Sequence, residues 1–136
     1  MSKQIFLLLA LVTTFFNFSS AQGFEEEFYI TDIKIEKEKV MLNKVYAFKF
    51  LNETNGYTIA DKNGKEEIHA VTKVIDQTRT ITTFTFVNLQ DKKFTNSMIN
   101  TPEQLFRMFS DNNVIDKDFK INYVQLKGIL EKLDGK

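Results

Sequence analysis

The pattern of hydrophobic and polar positions changes twice along the chain. Ile5 to Phe16 is almost unbroken apolar sequence. From Phe28 to about Leu89, short runs of β-branched and aromatic residues alternate with polar ones; after Asn100, apolar residues recur at helical spacing. Because alternate residues of a strand share a face, Phe28 to Glu36 places Tyr29, Thr31, Ile33 and Ile35 together, and Val45 to Leu51 does the same for Tyr46, Phe48 and Phe50. Asn55-Gly56 precedes the run Tyr57 to Ala60, and Asn63-Gly64 within "DKNGK" follows it. Asn-Gly predicts two-residue type I′ hairpins, since both central positions need positive φ. Ile68 to Ile75 and Thr80 to Leu89 complete the set, with "DQTR" at their turn. Thr82, Phe84 and Phe86 fall on one face of the last strand.

Two helices follow, over residues 102–111 and 123–133. Thr101 is placed to cap the first, with Pro102 at its first position, where a missing N–H costs little, and Gln104 completing a capping box. Leu105, Phe106, Met108 and Phe109 form its apolar stripe. In the second, Asn122 is the cap, and Tyr123, Leu126, Ile129, Leu130 and Leu133 share a face. Strands first and helices afterwards predict an α+β domain: an antiparallel meander of about five strands within residues 28–89, with two C-terminal helices packed on the sheet. The sequence shows no internal repeat, low-complexity tract or proline-rich linker.

The N-terminal apolar run changes the picture of where the protein works. Lys3 supplies a short positive region, the run stops at Asn17, short of the roughly 20 residues that span a bilayer, and Ser19 and Ala21 provide the small residues of a cleavage site. Residues 1–21 therefore read as a cleaved signal peptide and residues 22–136 as one domain, exported to a periplasm or the extracellular space, with no membrane span after cleavage. The chain has no cysteine, which removes disulfides, thiolate chemistry and lipidated cysteine together. An exported domain of this kind depends on its own core. Charge is balanced, with 18 basic and 18 acidic residues interspersed; nucleic-acid binding, which draws most of its affinity from phosphate neutralisation, has no basic excess to work with.

Candidate chemistry is sparse. Residues Ser110 to Leu126 ("SDNNVIDKDFKINYVQL") place six Asp and Asn side chains between the helices, in outline like a calcium-binding helix–loop–helix. A calcium loop needs oxygen ligands at alternate early positions, a glycine at the sixth and a bidentate Glu at the twelfth. Counted from Asp111, the fifth position is Ile115 and the twelfth Asn122; counted from Asp116, they are Lys120 and Lys127. The stretch reads as an ordinary loop, and no metal is expected. Asp111, Asp116 and Asp118 are the carboxylates any cation there would have to use. His69 is the single histidine and reads as a strand residue. After the signal, Ser97 and Ser110 are the only serines, and neither sits in a Gly-x-Ser-x-Gly turn. Asp61, Glu66, Glu67 and Asp76 lie near strand ends, where paired carboxylates could hydrolyse a glycosidic bond. Glu25 to Glu27 reads as a solvated leader, and no phosphate-binding loop or dinucleotide fingerprint occurs. Asn52-Glu53-Thr54 matches the N-glycosylation pattern, which matters only in a eukaryotic secretory pathway.

The expectation is a small exported binding protein without catalysis or cofactor, of the inhibitor, immunity or accessory type, whose partner is another protein. The alternative is a carrier of a small apolar ligand in a cavity lined by Tyr46, Phe48, Phe50, Tyr57, Phe84 and Phe86. A carboxylate-based hydrolase is a third reading.

Overall fold

In the computed structural model, residues 28–134 are described; the expected signal peptide with its cleavage site and the stretch Glu25 to Glu27, read as a leader, lie outside them. The chain is α+β. Seven strands form one antiparallel sheet in sequence order: β1 (Ile33–Glu36), β2 (Lys39–Leu42), β3 (Val45–Glu53), β4 (Gly56–Ala60), β5 (Glu66–Asp76), β6 (Arg79–Phe86) and β7 (Lys92–Thr95). Two helices follow, α1 (Pro102–Asp111) and α2 (Tyr123–Asp134). No helix among the described residues is long and apolar enough to cross a membrane.

The count of about five strands is corrected to seven. The two extra strands are Lys39–Leu42 and Lys92–Thr95, four residues each, too short to show a period. Their turns also lack the expected residues. The turn between β2 and β3 holds Asn43 and Lys44 at φ 54° and 68°, a left-handed pair built with lysine where glycine is usual. Conversely, neither Asn-Gly forms the two-residue turn expected of it. Gly56 already pairs with Glu53 inside the sheet, and at Asn63-Gly64 only the glycine has positive φ.

One face of the sheet carries the core. Val40, Phe48, Ile59, Ile68, Phe84, Phe86 and Phe94 are all buried, and the register aligns them in rows: Val40 with Phe48, Ile59 with Ile68, Ile68 with Phe86, Phe84 with Phe94. Helix α1 lies over them through Phe106, whose ring is 5.5 Å from that of Phe48, and Phe109, 6.5 Å from Phe86. Leu126 and Leu130 of α2 are buried in the same core. The Thr101 to Gln104 capping box forms as the sequence predicts, with both reciprocal hydrogen bonds present. Asn122 caps α2 by accepting the Gln125 N–H at 3.1 Å.

Three irregularities interrupt the ladders, each leaving one residue unpaired: Ala47 in β3, Glu67 in β5 and Ile75 near the β5–β6 turn. An extra residue reverses the alternation of side chains beyond it. Ala47 and Phe48 are consequently both buried, as are Glu67 and Ile68.

Candidate functional site

The bulge at Glu67 decides which acids meet. In an unbroken β5, Glu66 would share the core face with Ile68. Instead Glu66 pairs with Ala60 on the opposite face, where its carboxylate lies 3.2 Å from His69 Nε2. Glu67 is turned toward the helices and is only 9% exposed. Its Oε1 accepts a short hydrogen bond from the Tyr123 hydroxyl, at the first position of α2. The bond ties the start of that helix to the sheet.

Above this pair a cleft of about 290 Å³ opens, floored by Ala47, Phe48, Glu67, Ile121 and Tyr123. Both residues left unpaired at its edge, Ala47 and Glu67, are therefore part of its floor. One wall is the β4–β5 turn, with Asp61, Lys62 and Asn63; the other is the connector between the helices, with Asp118, Phe119 and Lys120.

The two walls are the same five-residue turn. In "DKNGK", Asp61 Oδ1 accepts the N–H groups of Asn63 and Lys65, both at 2.9 Å. The Asp61 N–H bonds to the Lys65 carbonyl, and the Gly64 N–H to the Asp61 carbonyl. In "DKDFK", Asp116 Oδ1 accepts the N–H groups of Asp118 and Lys120 at 2.9 and 3.0 Å. The Asp116 N–H bonds to the Lys120 carbonyl, and the Phe119 N–H to the Asp116 carbonyl. The fourth residue is left-handed in both, Gly64 at φ 91° and Phe119 at φ 60°. Asp side chains that bind the backbone two and four residues on make such turns self-supporting.

Electrostatically the floor is tense. Burial pushes the Glu67 carboxyl above its ordinary value, an effect larger than the opposing hydrogen bond from Tyr123; Asp61 adds to the rise, and Lys65 and Lys120 reduce it. The Tyr123 phenol is pushed up as well, by burial first and by Glu67 second, with Asn88 pulling the other way. At neutral pH the phenol is therefore a proton donor to Glu67.

Of the carboxylates singled out in the sequence, Asp61 and Glu67 come together in the cleft, whereas Glu66 sits beside His69 and Asp76 closes the β5–β6 turn through Arg79 Nη2 at 2.9 Å. Of the three aspartates considered for a cation, Asp111 ends α1, Asp116 is committed to its turn and Asp118 lines the cleft. Among the described residues no three His, Asp or Glu side chains gather to hold a metal. Of the six rings considered for a carrier, Phe48, Phe50, Tyr57, Phe84 and Phe86 are buried in the core, and Phe48 alone also reaches the cleft. Tyr46 lies on the other face of the sheet, with Lys39 Nζ 5.1 Å from its ring centroid. Tyr123, read from the sequence only as part of a helix stripe, is the cleft residue that periodicity missed: a tyrosine at a helix start is a signal only once its partner across the sheet is known.

His69 belongs to a separate chain of hydrogen bonds on the open face. The Thr58 hydroxyl donates to Glu53 at 2.7 Å and lies 3.0 Å from His69 Nδ1. Thr58 is fully buried and its single proton is spent on Glu53, so this threonine and histidine do not constitute a nucleophile and base. Ser110 Oγ is likewise engaged with the Ile30 carbonyl. No family model matches the sequence, and neither a curated protein nor a solved structure matches it.

Proposed function

We propose that the protein is a small exported binding protein, non-catalytic, that recognises another protein through the cleft between the two Asp-anchored turns. The observation that carries this reading is the placement of Glu67: a β-bulge turns a carboxylate into the interior, Tyr123 clamps it, and the space above it opens to solvent between walls that hold their own shape. Preformed walls reduce the ordering cost that association must offset. A volume of about 290 Å³ lies at the small end of ligand sites, which run to about 1,000 Å³. It suits one inserted side chain or small polar group better than an extended substrate. The Thr58 and Ser110 hydroxyls lie elsewhere, on the open face and in α1, and are engaged in hydrogen bonds.

Chemical cross-linking of the exported fraction of the native host tests the reading. The wild-type chain should give one reproducible protein adduct, and Asn63→Arg, which fills the cleft from an exposed position, should abolish it. Absence of any reproducible adduct from the wild type contradicts partner recognition; an adduct that survives Asn63→Arg contradicts the cleft as its site.

A further inference from the structure

The chemistry of the cleft floor specifies the group that enters it. We infer that the cleft takes an organic cation, an ammonium or guanidinium group, against the carboxylate of Glu67; this inference rests on the reading of the cleft as a recognition site. Glu67 is nine-tenths buried, its Oε1 accepts from Tyr123, and its side chain lines the cleft. An ionised carboxylate offers about four acceptor positions, more than the Tyr123 hydroxyl fills. Asp61, Glu67 and Asp118 place three carboxylates at the cleft with the ammonium groups of Lys62 and Lys120, and Lys65 also acts on Glu67, so Glu67 is the acceptor the floor itself presents. Lys62 Nζ also lies 6.0 Å from the centroid of Tyr46, on the other face of the sheet. Phe119 and Tyr123 add ring surface at the cleft, and aromatic faces attract cations by their quadrupole. An anion would meet a carboxylate at the floor, and an apolar group would displace water from that carboxylate without replacing its hydrogen bonds. A cation supplies both the opposite charge and the donors that the Glu67 carboxylate can accept.

Two sources could present this chemistry: a lysine or arginine side chain of a partner protein, or a free small amine. The test is amide chemical-shift titration of the exported protein with N-acetyl-arginine amide and with butylammonium, and with N-acetyl-norleucine amide as the neutral control. The two cations should give saturable shifts at Ala47, Glu67, Phe119 and Tyr123, and the neutral compound none. Glu67→Gln should weaken the cations about tenfold, the size expected for losing one charge-assisted hydrogen bond. Equal response to the neutral compound, no saturable response, or unchanged affinity in Glu67→Gln overturns the inference. Should Glu67→Gln lose its native amide dispersion, the exposed Asp118→Asn takes its place, with about threefold weakening expected and no weakening overturning the inference. Native mass spectrometry separates the sources: a small amine displaced by butylammonium identifies a free ligand, whereas a bare mass with a cross-link to a basic residue identifies a partner side chain. A cross-link from the cleft to an acidic or apolar partner residue overturns the cation while leaving partner recognition standing.

Discussion

Gly56 and Gly64 require glycine for different reasons, and the difference is measurable. A Cβ on Gly56 would lie 1.8 Å from the Ala70 carbonyl oxygen, a backbone atom that cannot yield without parting β4 from β5. At Gly64 the nearest atom would be Lys49 Nζ at 3.9 Å, so only the positive φ opposes a side chain. Gly56→Ala should cost about 3 kcal/mol or more and Gly64→Ala about 1 kcal/mol, read from denaturation midpoints. Phe119 occupies the same left-handed position as Gly64 and is retained by its edge-on contact with Phe28, 5.4 Å between centroids. Truncation to alanine keeps the strain and loses the ring, whereas truncation to glycine loses both. Phe119→Gly should therefore be more stable than Phe119→Ala by about 1 kcal/mol.

Glu67 makes stability depend on pH with a defined sign. Its carboxyl is raised in the folded state, mainly by burial, so between its unfolded and folded values the native chain binds more protons than the unfolded one. Stability from this group is therefore fully present below the unfolded value and is lost as pH rises through the folded one. Glu67→Gln keeps an acceptor for Tyr123 but cannot ionise. Denaturant melts at successive pH values should show the wild type losing stability across that window relative to the variant; parallel curves would contradict the assignment.

At the scale of elements, the helices were readable because their signals are local. Thr101, Pro102 and Gln104 fix the start of α1, and Thr101→Ala should lower thermal stability by about 1 kcal/mol through loss of the cap. The long strands were readable for the same reason: Phe84 and Phe86 alternate, and alternation alone places them inward. What the sequence hid is non-local. Ala47 and Glu67 look like ordinary strand positions, and only the pairing partners Tyr46 with Met41 and Glu66 with Ala60 reveal them as extra residues. Once the bulge reverses the alternation, two adjacent acids separate, Glu66 to the histidine and Glu67 to the interior. The candidate site was thus visible as a list of acids near strand ends, but not as a cleft. Lysines at positive φ, as at Lys37 and Lys44, hid the short hairpins in the same way, because the turn residues that usually announce them are absent.

At the scale of the molecule, the antiparallel sheet and helices enclose a core on one face, and the cleft lies where the β4–β5 turn meets the inter-helix connector. The resemblance of "DKNGK" to "DKDFK" is too brief to register as a repeat, yet it gives both walls one hydrogen-bonding plan. Recognition through this edge rather than through the open sheet face is the central claim, and positional photo-cross-linking in the native host tests it most directly. A photoreactive amino acid at Asn63 or Asp118 should capture the partner, and the same group at Lys49 or Thr83, on the open face, should not. Capture from Lys49 or Thr83 with none from Asn63 or Asp118 would contradict the account.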